Sequence, residues 1–261
     1  MSVAAPATGV VQPSLSDSFS VRRSPFSAAD PEIAENGERR TENVPEGAVA
    51  AFHAISIPRR TYTGDFWFAR PIGTTLWFAI GDVAGKGAAS AVWMAMILEE
   101  LDAMIAPGAA PREPCAVVRR LDTVLREEMP ANRFATLAVG RLEADGALTL
   151  ANAGHPPLMI VRGSGEVDRF PANGPPVGIL PDRCWGVRNT TLDPGDLMVA
   201  YTDGMPEARR IDGTELGIDG TATLAASGGG RDPRDAASRI AAELTRTALV
   251  EDDVTLFVLR R

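Results

Sequence analysis

Four aspartates occur where apolar segments of the sequence begin or end. Asp82 and Asp203 directly follow apolar runs and precede glycine-containing turns, and Asp252 stands just before the last apolar run. Asp65 lies in the short segment TGDFWF. Taken alone, each is explained equally well by the preference of aspartate for turns, where its side chain accepts local hydrogen bonds. Taken together, they are carboxylates that the strand ends of one sandwich could bring to the same edge.

Such a cluster would suit hard divalent cations. Mg²⁺ and Mn²⁺ bind oxygen ligands, mainly carboxylates and waters, and two such ions about 3.5–4 Å apart can activate a water for in-line attack on phosphorus. The site would need neither histidine nor cysteine, and the chain has only two of each. Cys115 and Cys184 form no CxxC pair, so we expect two free thiols and no structural zinc.

Two further residues could have a chemical role. Lys86, the only lysine, lies in a Gly-Lys-Gly turn, but the spacing of glycines is too short for a nucleotide-binding P-loop and an alanine follows the turn. A solvated turn residue is the favoured interpretation of Lys86, and a contact to a substrate phosphate or a partner is the alternative. His155, in NAGHPP, is interpreted as a structural hydrogen-bonding residue and not as a base, because a lone histidine is no evidence of catalysis.

The overall composition narrows the class of protein. The chain has 261 residues, 45% of them hydrophobic, which suits one sizeable α/β domain with an extra segment. Its net charge of −8 disfavours nucleic-acid binding, which needs a basic face. The N-terminus lacks the pattern of a secretory signal, and no apolar run approaches the roughly 20 residues that span a bilayer. We therefore expect a cytoplasmic protein with no nucleic-acid or membrane partner.

The hydrophobic pattern predicts the elements that would position the aspartates. Residues 1–46 are rich in Ala, Pro, Ser and Glu and are predicted to be a disordered tail, whereas residues 47–261 form the folded domain. Helices are predicted at 90–105, 113–129 and 232–249. Short apolar segments bounded by turn residues predict strands at 48–58, 75–83, 133–143, 147–154, 157–163, 196–204 and 253–260. The glycine-rich stretch 213–230 is expected to be a long loop.

The order of these elements favours one architecture. Helices are not interleaved with every strand, so an antiparallel α/β sandwich is expected and not a parallel doubly wound sheet.

Six motifs in a fixed order then indicate a family. They are GD at 64–65, IGDVAGKG at 80–87, NAGHPPL at 152–158, VGIL at 177–180, LDPGDLMVAYTDGMPEAR at 192–209 and DDVTLFVL at 252–259. The sequence from about Ala50 to Arg260 resembles the PPM metal-dependent protein phosphatases, in the SpoIIE/RsbU-like branch that regulates bacterial sigma-factor pathways. The resemblance implies a four-layer αββα sandwich, with two central antiparallel sheets flanked by helices. It also implies hydrolysis of phosphoserine or phosphothreonine with two Mn²⁺ or Mg²⁺ ions.

The resemblance also implies a role for each aspartate. Asp82 would bridge the two metals, and Val83 would add its carbonyl oxygen. Asp203 and Asp252 would bind the first metal, and Asp65 would orient metal-bound waters. The attacking group would be a water that bridges the metals.

Some positions depart from the family pattern or leave a role open. Thr63 replaces the first glycine of a GGD motif, and Phe68 stands where many relatives have a further aspartate that could tune the metals. Ala84 occupies the place of a histidine in eukaryotic members, so a metal-bound water would have to protonate the leaving group. In the Asp-Asp pair the first member is the favoured ligand, and a contribution from Asp253 stays open.

Partners and rival functions follow from the same resemblance. The implied substrate is a phosphorylated anti-anti-sigma factor with a STAS domain, and a homodimer is a further possibility. One rival is a catalytically weak phosphatase-fold module that binds a signalling partner, which the retained aspartates argue against. The other is a two-metal phosphoesterase of small molecules, which the motifs disfavour less because they define the metal site and not the substrate.

Overall fold

The computed structural model of the protein describes residues 22–23, 49–85, 87–109, 111, 113–130, 133–180, 183–230 and 232–261. Its helices are α1 (Ala88–Met104), α2 (Pro114–Glu128), α3 (Gly217–Ser227) and α4 (Pro233–Thr247). Its strands are β1 (Arg22–Arg23), β2 (Ala51–Ile57), β3 (Asp65–Ile72), β4 (Thr75–Val83), β5 (Ala135–Glu143), β6 (Ala147–Ala153), β7 (Leu158–Val161), β8 (Val167–Phe170), β9 (Arg188–Thr191), β10 (Leu197–Tyr201), β11 (Arg209–Arg210), β12 (Ala248–Leu249) and β13 (Val254–Arg260). No helix within these ranges is long and apolar enough to cross a membrane.

Two antiparallel sheets form the centre of the fold. The first has the strand order β1-β3-β4-β5-β6-β9, the second has the order β2-β13-β10-β7-β8, and β11 pairs separately with β12. Helices α1 and α2 lie against β3 to β6 of the first sheet, whereas α3 and α4 lie against β7, β2 and β13 of the second. The expected αββα sandwich with antiparallel central sheets is confirmed.

Alternation along each strand separates the apolar residues into layers. On β4, Phe78 and Ile80 belong to the core between the two sheets, whereas Trp77 and Ala79 belong to the core beneath α1 and α2. Successive side chains of a strand point to opposite faces. Asp82 therefore continues the face of Phe78 and Ile80, so its side chain lies at the end of the core between the sheets.

Aromatic rings join the two sheets in this central core. Phe78 of β4 stacks on Phe257 of β13 with ring centroids 5.7 Å apart and an interplanar angle of 18°. Gly140 lies directly opposite Phe78 on β5. A Cβ atom at Gly140 would lie 2.0 Å from Cζ of the Phe78 ring. The glycine therefore leaves the space that the ring needs to reach the second sheet.

The structure confirms most of the predicted elements and corrects one of them. The strand predicted at 75–83 is observed with those bounds, and the helix predicted at 232–249 is observed as α4. The expected long loop at 213–230 is wrong, because this stretch contains α3. Its glycines give it low helix propensity, but the helix buries three apolar side chains against the second sheet, and packing outweighs propensity. They are Ala222, Leu224 and Ala225.

The expected N-terminal tail is described at only two residues. Arg22–Arg23 form β1 and pair antiparallel with Phe68 and Ala69 at the edge of the first sheet. Residues 1–21 and 24–48 lie outside the described residues, so the disordered tail and the boundary at residue 47 stay predictions.

We predict that Gly140→Ala destabilises the fold. The added methyl group would collide with the Phe78 ring, so the ring or the strand must shift, which typically costs about 1–3 kcal/mol of unfolding free energy. Gly163→Ala is the matched control, because a Cβ at this exposed turn would meet nothing within 4 Å. Urea unfolding of both variants checks the prediction, and equal stability of the two would contradict it.

Candidate active site

Two of the predicted aspartates lie side by side on the first sheet. Asp65 pairs with Asp82 across β3 and β4, and Asp82 pairs with Thr136 across β4 and β5. Residues directly opposite each other on antiparallel strands have their side chains on the same face of the sheet. The three side chains therefore form one row across neighbouring strands, where the core between the sheets ends.

The second sheet reaches this row through Thr202, which directly follows β10. The Thr202 hydroxyl donates a hydrogen bond to Asp65 Oδ2 at 2.7 Å and accepts one from the Thr255 main-chain N–H at 2.8 Å. Both Thr202 and Asp65 are buried. This contact fixes the Asp65 carboxylate between the sheets. Because Asp203 directly follows Thr202, the contact also brings Asp203 to the same end of the sandwich.

All four predicted aspartates line one cleft of about 250 Å³. The full lining consists of Arg60, Tyr62, Gly64, Asp65, Asp82, Ala84, Gly85, Phe134, Thr136, Asp203, Asp252 and Asp253. The structure thus brings together the carboxylates that the sequence places far apart. Their roles as metal ligands and catalytic groups stay predictions.

Burial and crowding disfavour the ionised forms of the carboxylates in the cleft. Burial, and then the charge of Asp203, raises the pKa of Asp82 to about 7. Burial and then Asp82 raise the pKa of Asp65 well above its usual value, and burial and then Asp252 raise the pKa of Asp203. A nearby positive charge would favour the ionised forms again. The electrostatics of the cleft therefore suit a cation.

Gly64 lets the main chain pass close to two of the predicted ligand atoms. A Cβ atom at Gly64 would lie 2.6 Å from Asp82 Oδ1 and 2.6 Å from the main-chain oxygen of Val83. The two oxygens therefore pack close to the Gly64 backbone, and any side chain at this position would displace them. A carboxylate and a carbonyl oxygen are the kind of donors that Mg²⁺ and Mn²⁺ prefer.

The remaining carboxylates are engaged with protein groups. Asp252 Oδ2 forms an ion pair with the Arg60 guanidinium at 2.9 Å. Asp253 Oδ1 accepts hydrogen bonds from the main-chain N–H groups of Arg59 and Arg60, the second at 3.0 Å. Across the described ranges, no three His, Cys, Asp or Glu side chains form a complete ligand set for one ion. A cation that binds Asp252 would therefore share this carboxylate with Arg60 or displace it.

The two other residues that the sequence analysis considered differ in outcome. Lys86 lies outside the described residues. His155 is buried, and its Nδ1 lies 3.1 Å from the Thr136 hydroxyl. Burial lowers the pKa of His155 to about 3. The ring is thus neutral near pH 7 and makes a hydrogen bond, as the structural interpretation requires.

Sequence reasoning missed four residues of the site or of its support. Arg60 and Tyr62 precede Asp65 in a segment with no periodic pattern, so nothing in the sequence marks them. Thr136 and Thr202 owe their place to strand register and to sheet packing. Thr202 could have been found, because it continues the alternating pattern of β10 and directly precedes a predicted site residue.

Comparison with known proteins agrees with this architecture. The family model described as Stage II sporulation protein E (SpoIIE) matches residues 72–261. Protein IcfG of Synechocystis is 29% identical over 184 residues, which cover 60% of this chain and 29% of IcfG. Phosphoserine phosphatase RsbU of Bacillus subtilis is 28% identical over 186 residues, which cover 70% of this chain and 55% of RsbU. The chain therefore matches about half or less of the length of these relatives.

A solved structure supports the same relationship. The structure of the RsbU and RsbW domains of Rv1364c from Mycobacterium tuberculosis aligns with a TM-score of 0.68 and 26% identity. The alignment covers 84% of this chain and 64% of that one. Since the family model spans most of the chain, including strands of both sheets and Asp82, Asp203 and Asp252, the protein belongs to the SpoIIE family.

Proposed function

We propose that the protein is a phosphoprotein phosphatase that hydrolyses phosphoserine or phosphothreonine with Mn²⁺ or Mg²⁺. The observation that carries the proposal is the cleft, in which five carboxylates and one arginine meet at the ends of strands from both sheets. Membership of the SpoIIE family supports the proposal, as does the similarity to RsbU, a phosphoserine phosphatase.

The proposed cation ligands are oxygen atoms on both sides of the cleft. Asp82 and the Val83 carbonyl would hold the cations from the first sheet, and Asp203 and Asp252 from the second. When bound, two divalent cations activate a water for attack on phosphorus and offset the charge of the phosphate. Asp82, whose position opposite Asp65 is fixed by strand pairing, is the proposed bridging ligand.

Two other residues of the chain complete the proposed site. The Asp65 carboxylate, fixed by Thr202, would accept hydrogen bonds from water in the cleft and hold that water in one orientation. Arg60 would bind the substrate phosphate, because its guanidinium reaches the cleft and is only partly exposed. The ion pair holds the Arg60 guanidinium beside Asp252, one of the proposed ligands, where it would lie close to a phosphate bound in the cleft.

The proposed substrate is a phosphorylated anti-anti-sigma factor with a STAS domain, which is what the resemblance to the RsbU-like branch implies. A catalytically weak module that binds a signalling partner is the second candidate. The ion pair between Arg60 and Asp252 favours this candidate, because it engages one of the proposed ligands. Metal dependence of turnover distinguishes the two functions.

We predict that turnover requires added Mn²⁺ or Mg²⁺ and is lost in excess EDTA. Among the described residues that line it, the cleft offers carboxylates but no cysteine, and the nearby histidine is neutral and buried, so a divalent cation is the group best suited to activate water. Hydrolysis of p-nitrophenyl phosphate, and then of a phosphorylated STAS-domain protein, measures the effect. Full activity in EDTA would disprove the metal mechanism, and absence of turnover with both metals would support the weak module.

We predict that Asp82→Asn lowers turnover by at least about a hundredfold, since even groups that only support a metal ligand often cost that much. In EDTA the same change should flatten the pH dependence of stability. The pKa of Asp82 is about 7 in the fold and near 3.8 as an ordinary aspartate. The folded protein therefore binds the proton more tightly, so wild type loses stability as pH rises from about 4 to 7.

Thermal melts of wild type and Asp82→Asn at pH 5 and pH 8, in EDTA and in Mn²⁺, check this prediction. The variant should lose less stability than wild type between pH 5 and pH 8 in EDTA, and it should gain less from Mn²⁺. Equal destabilisation of the variant in both buffers would show that Asp82 is a turn-capping residue.

We predict that Arg60→Met raises KM for a phosphorylated substrate about tenfold, because a charge-assisted hydrogen bond to phosphate contributes roughly 1.5–3 kcal/mol. Arg59→Met is the matched control, since Arg59 does not line the cleft and its Nε donates to the Val250 carbonyl. Steady-state kinetics with saturating Mn²⁺ measure both variants. The same KM for the two would exclude Arg60 from phosphate binding.

A further inference from the structure

His155 is held rigidly behind the cleft, in the turn that follows β6. Its main-chain N–H donates to Asn152 Oδ1 at 2.9 Å. The preceding residue, Gly154, has a φ of 69°, and a Cβ there would lie 2.4 Å from Cγ of Pro176. Only glycine fits that backbone and that space. The imidazole is therefore fixed by the turn that carries it.

The His155 ring contacts the Thr136 hydroxyl group, which connects it to the cleft. His155 Nδ1 lies 3.1 Å from Thr136 Oγ1, and Thr136 lines the cleft. Thr136 also stands directly opposite Asp82 on the neighbouring strand, so both side chains lie on the same face. Whatever fixes the Thr136 hydroxyl therefore acts next to the carboxylate at the centre of the site.

The neutral imidazole can act as a hydrogen-bond acceptor toward Thr136. Burial lowers the pKa of His155 to about 3, so the ring is neutral, with one donor and one acceptor nitrogen. Nε2 is buried and has no hydrogen-bond partner among the described residues. Nδ1 faces Thr136, so a proton on Nε2 leaves Nδ1 free to accept a hydrogen bond. Nδ1 then accepts the proton of the Thr136 hydroxyl.

We propose that His155 is a positioning residue that acts through Thr136, holding its hydroxyl oxygen as a hydrogen-bond acceptor beside Asp82. A free hydroxyl next to a carboxylate would turn its proton to that carboxylate, which is the stronger acceptor. By taking this proton, His155 keeps the Asp82 oxygens available for cations. The Thr136 oxygen can then accept a hydrogen bond from water in the cleft.

This inference rests on the proposed function, because it assigns His155 a task at the cation site. It differs from a purely structural role in what the ring does to Asp82. A core histidine would affect the melting temperature alone. A positioning histidine would change cation affinity, and its effect would disappear once Thr136 has no hydroxyl.

The tautomer is tested by nitrogen NMR of protein labelled at histidine. The chain has two histidines, so a His53→Gln variant assigns the signals. We expect His155 to show a protonated Nε2 and an unprotonated Nδ1 from pH 5 to pH 9. A proton on Nδ1 would overturn the inference, because Thr136 would then be the acceptor and its own proton would face the cleft.

The coupling is tested by calorimetric titration with Mn²⁺ alone. Thr136→Val and His155→Phe should each weaken Mn²⁺ binding about tenfold, as expected for loss of a group that supports a metal ligand. The double variant should bind no more weakly than either single one. Thr136→Ser should restore the affinity, and His155→Asn should restore part of it because its amide oxygen can take the place of Nδ1.

Controls separate this inference from loss of fold and from failure of the proposed function. Thr149→Val removes a hydroxyl from the same sheet away from the cleft and should bind Mn²⁺ like wild type. Additive losses in the double variant, or a lower melting temperature at unchanged Mn²⁺ affinity, would overturn the positioning role. If wild type binds Mn²⁺ but hydrolyses no phosphoester, the proposed function fails and the titrations still decide the inference. If wild type binds no Mn²⁺, both fail.

Discussion

Burial of several mutually repelling carboxylates in one cleft is the constraint on which the rest of this structure depends. Burial and neighbouring charges raise the pKa of Asp65, Asp82 and Asp203, so bringing these groups together opposes folding. Arg60 offsets part of this cost, but an ion pair that is about one-third exposed contributes little. Most of the compensation must come from the three apolar layers, one between the sheets and one beneath each pair of helices.

The same apolar layers also determine the direction in which the side chains of the site point. Each strand alternates between a face toward the other sheet and a face toward the helices. On β4 the inward series of Phe78 and Ile80 continues to Asp82, and on β10 the inward series of Met198 and Ala200 continues to Thr202. Asp82 and Thr202 thus occupy the first inward-facing positions beyond the end of the apolar core. This part of the cleft is made by strands whose alternation extends one step beyond the apolar core, and the segments before β3 and β13 complete the lining.

The sequence predicts the parts of this arrangement that depend on local patterns. The β4 strand, the α4 helix and the antiparallel sandwich follow from apolar periodicity and from the order of elements, and polar residues at strand ends mark Asp82 and Asp203. The α3 helix is missed because its glycines have low helix propensity, whereas the helix is stabilised by packing that the sequence does not show. Pairings such as Asp82 with Thr136 are missed because register is set by contacts between strands 54 residues apart. Arg60 is missed because only the folded chain brings it to Asp252.

The two halves of the site belong to different sheets, so their separation is a property of the whole sandwich. Asp82 is carried by the first sheet and Asp203 by the second, and cations between them would require one fixed spacing. The Phe78 and Phe257 stack sets that spacing within the core, and the Thr202 hydrogen bond to Asp65 sets it at the end of the core. Since packed interiors do not deform continuously, a change at Gly140 that moves the Phe78 ring would also be felt at the cleft. Core packing and the geometry of the cleft are therefore coupled in this fold.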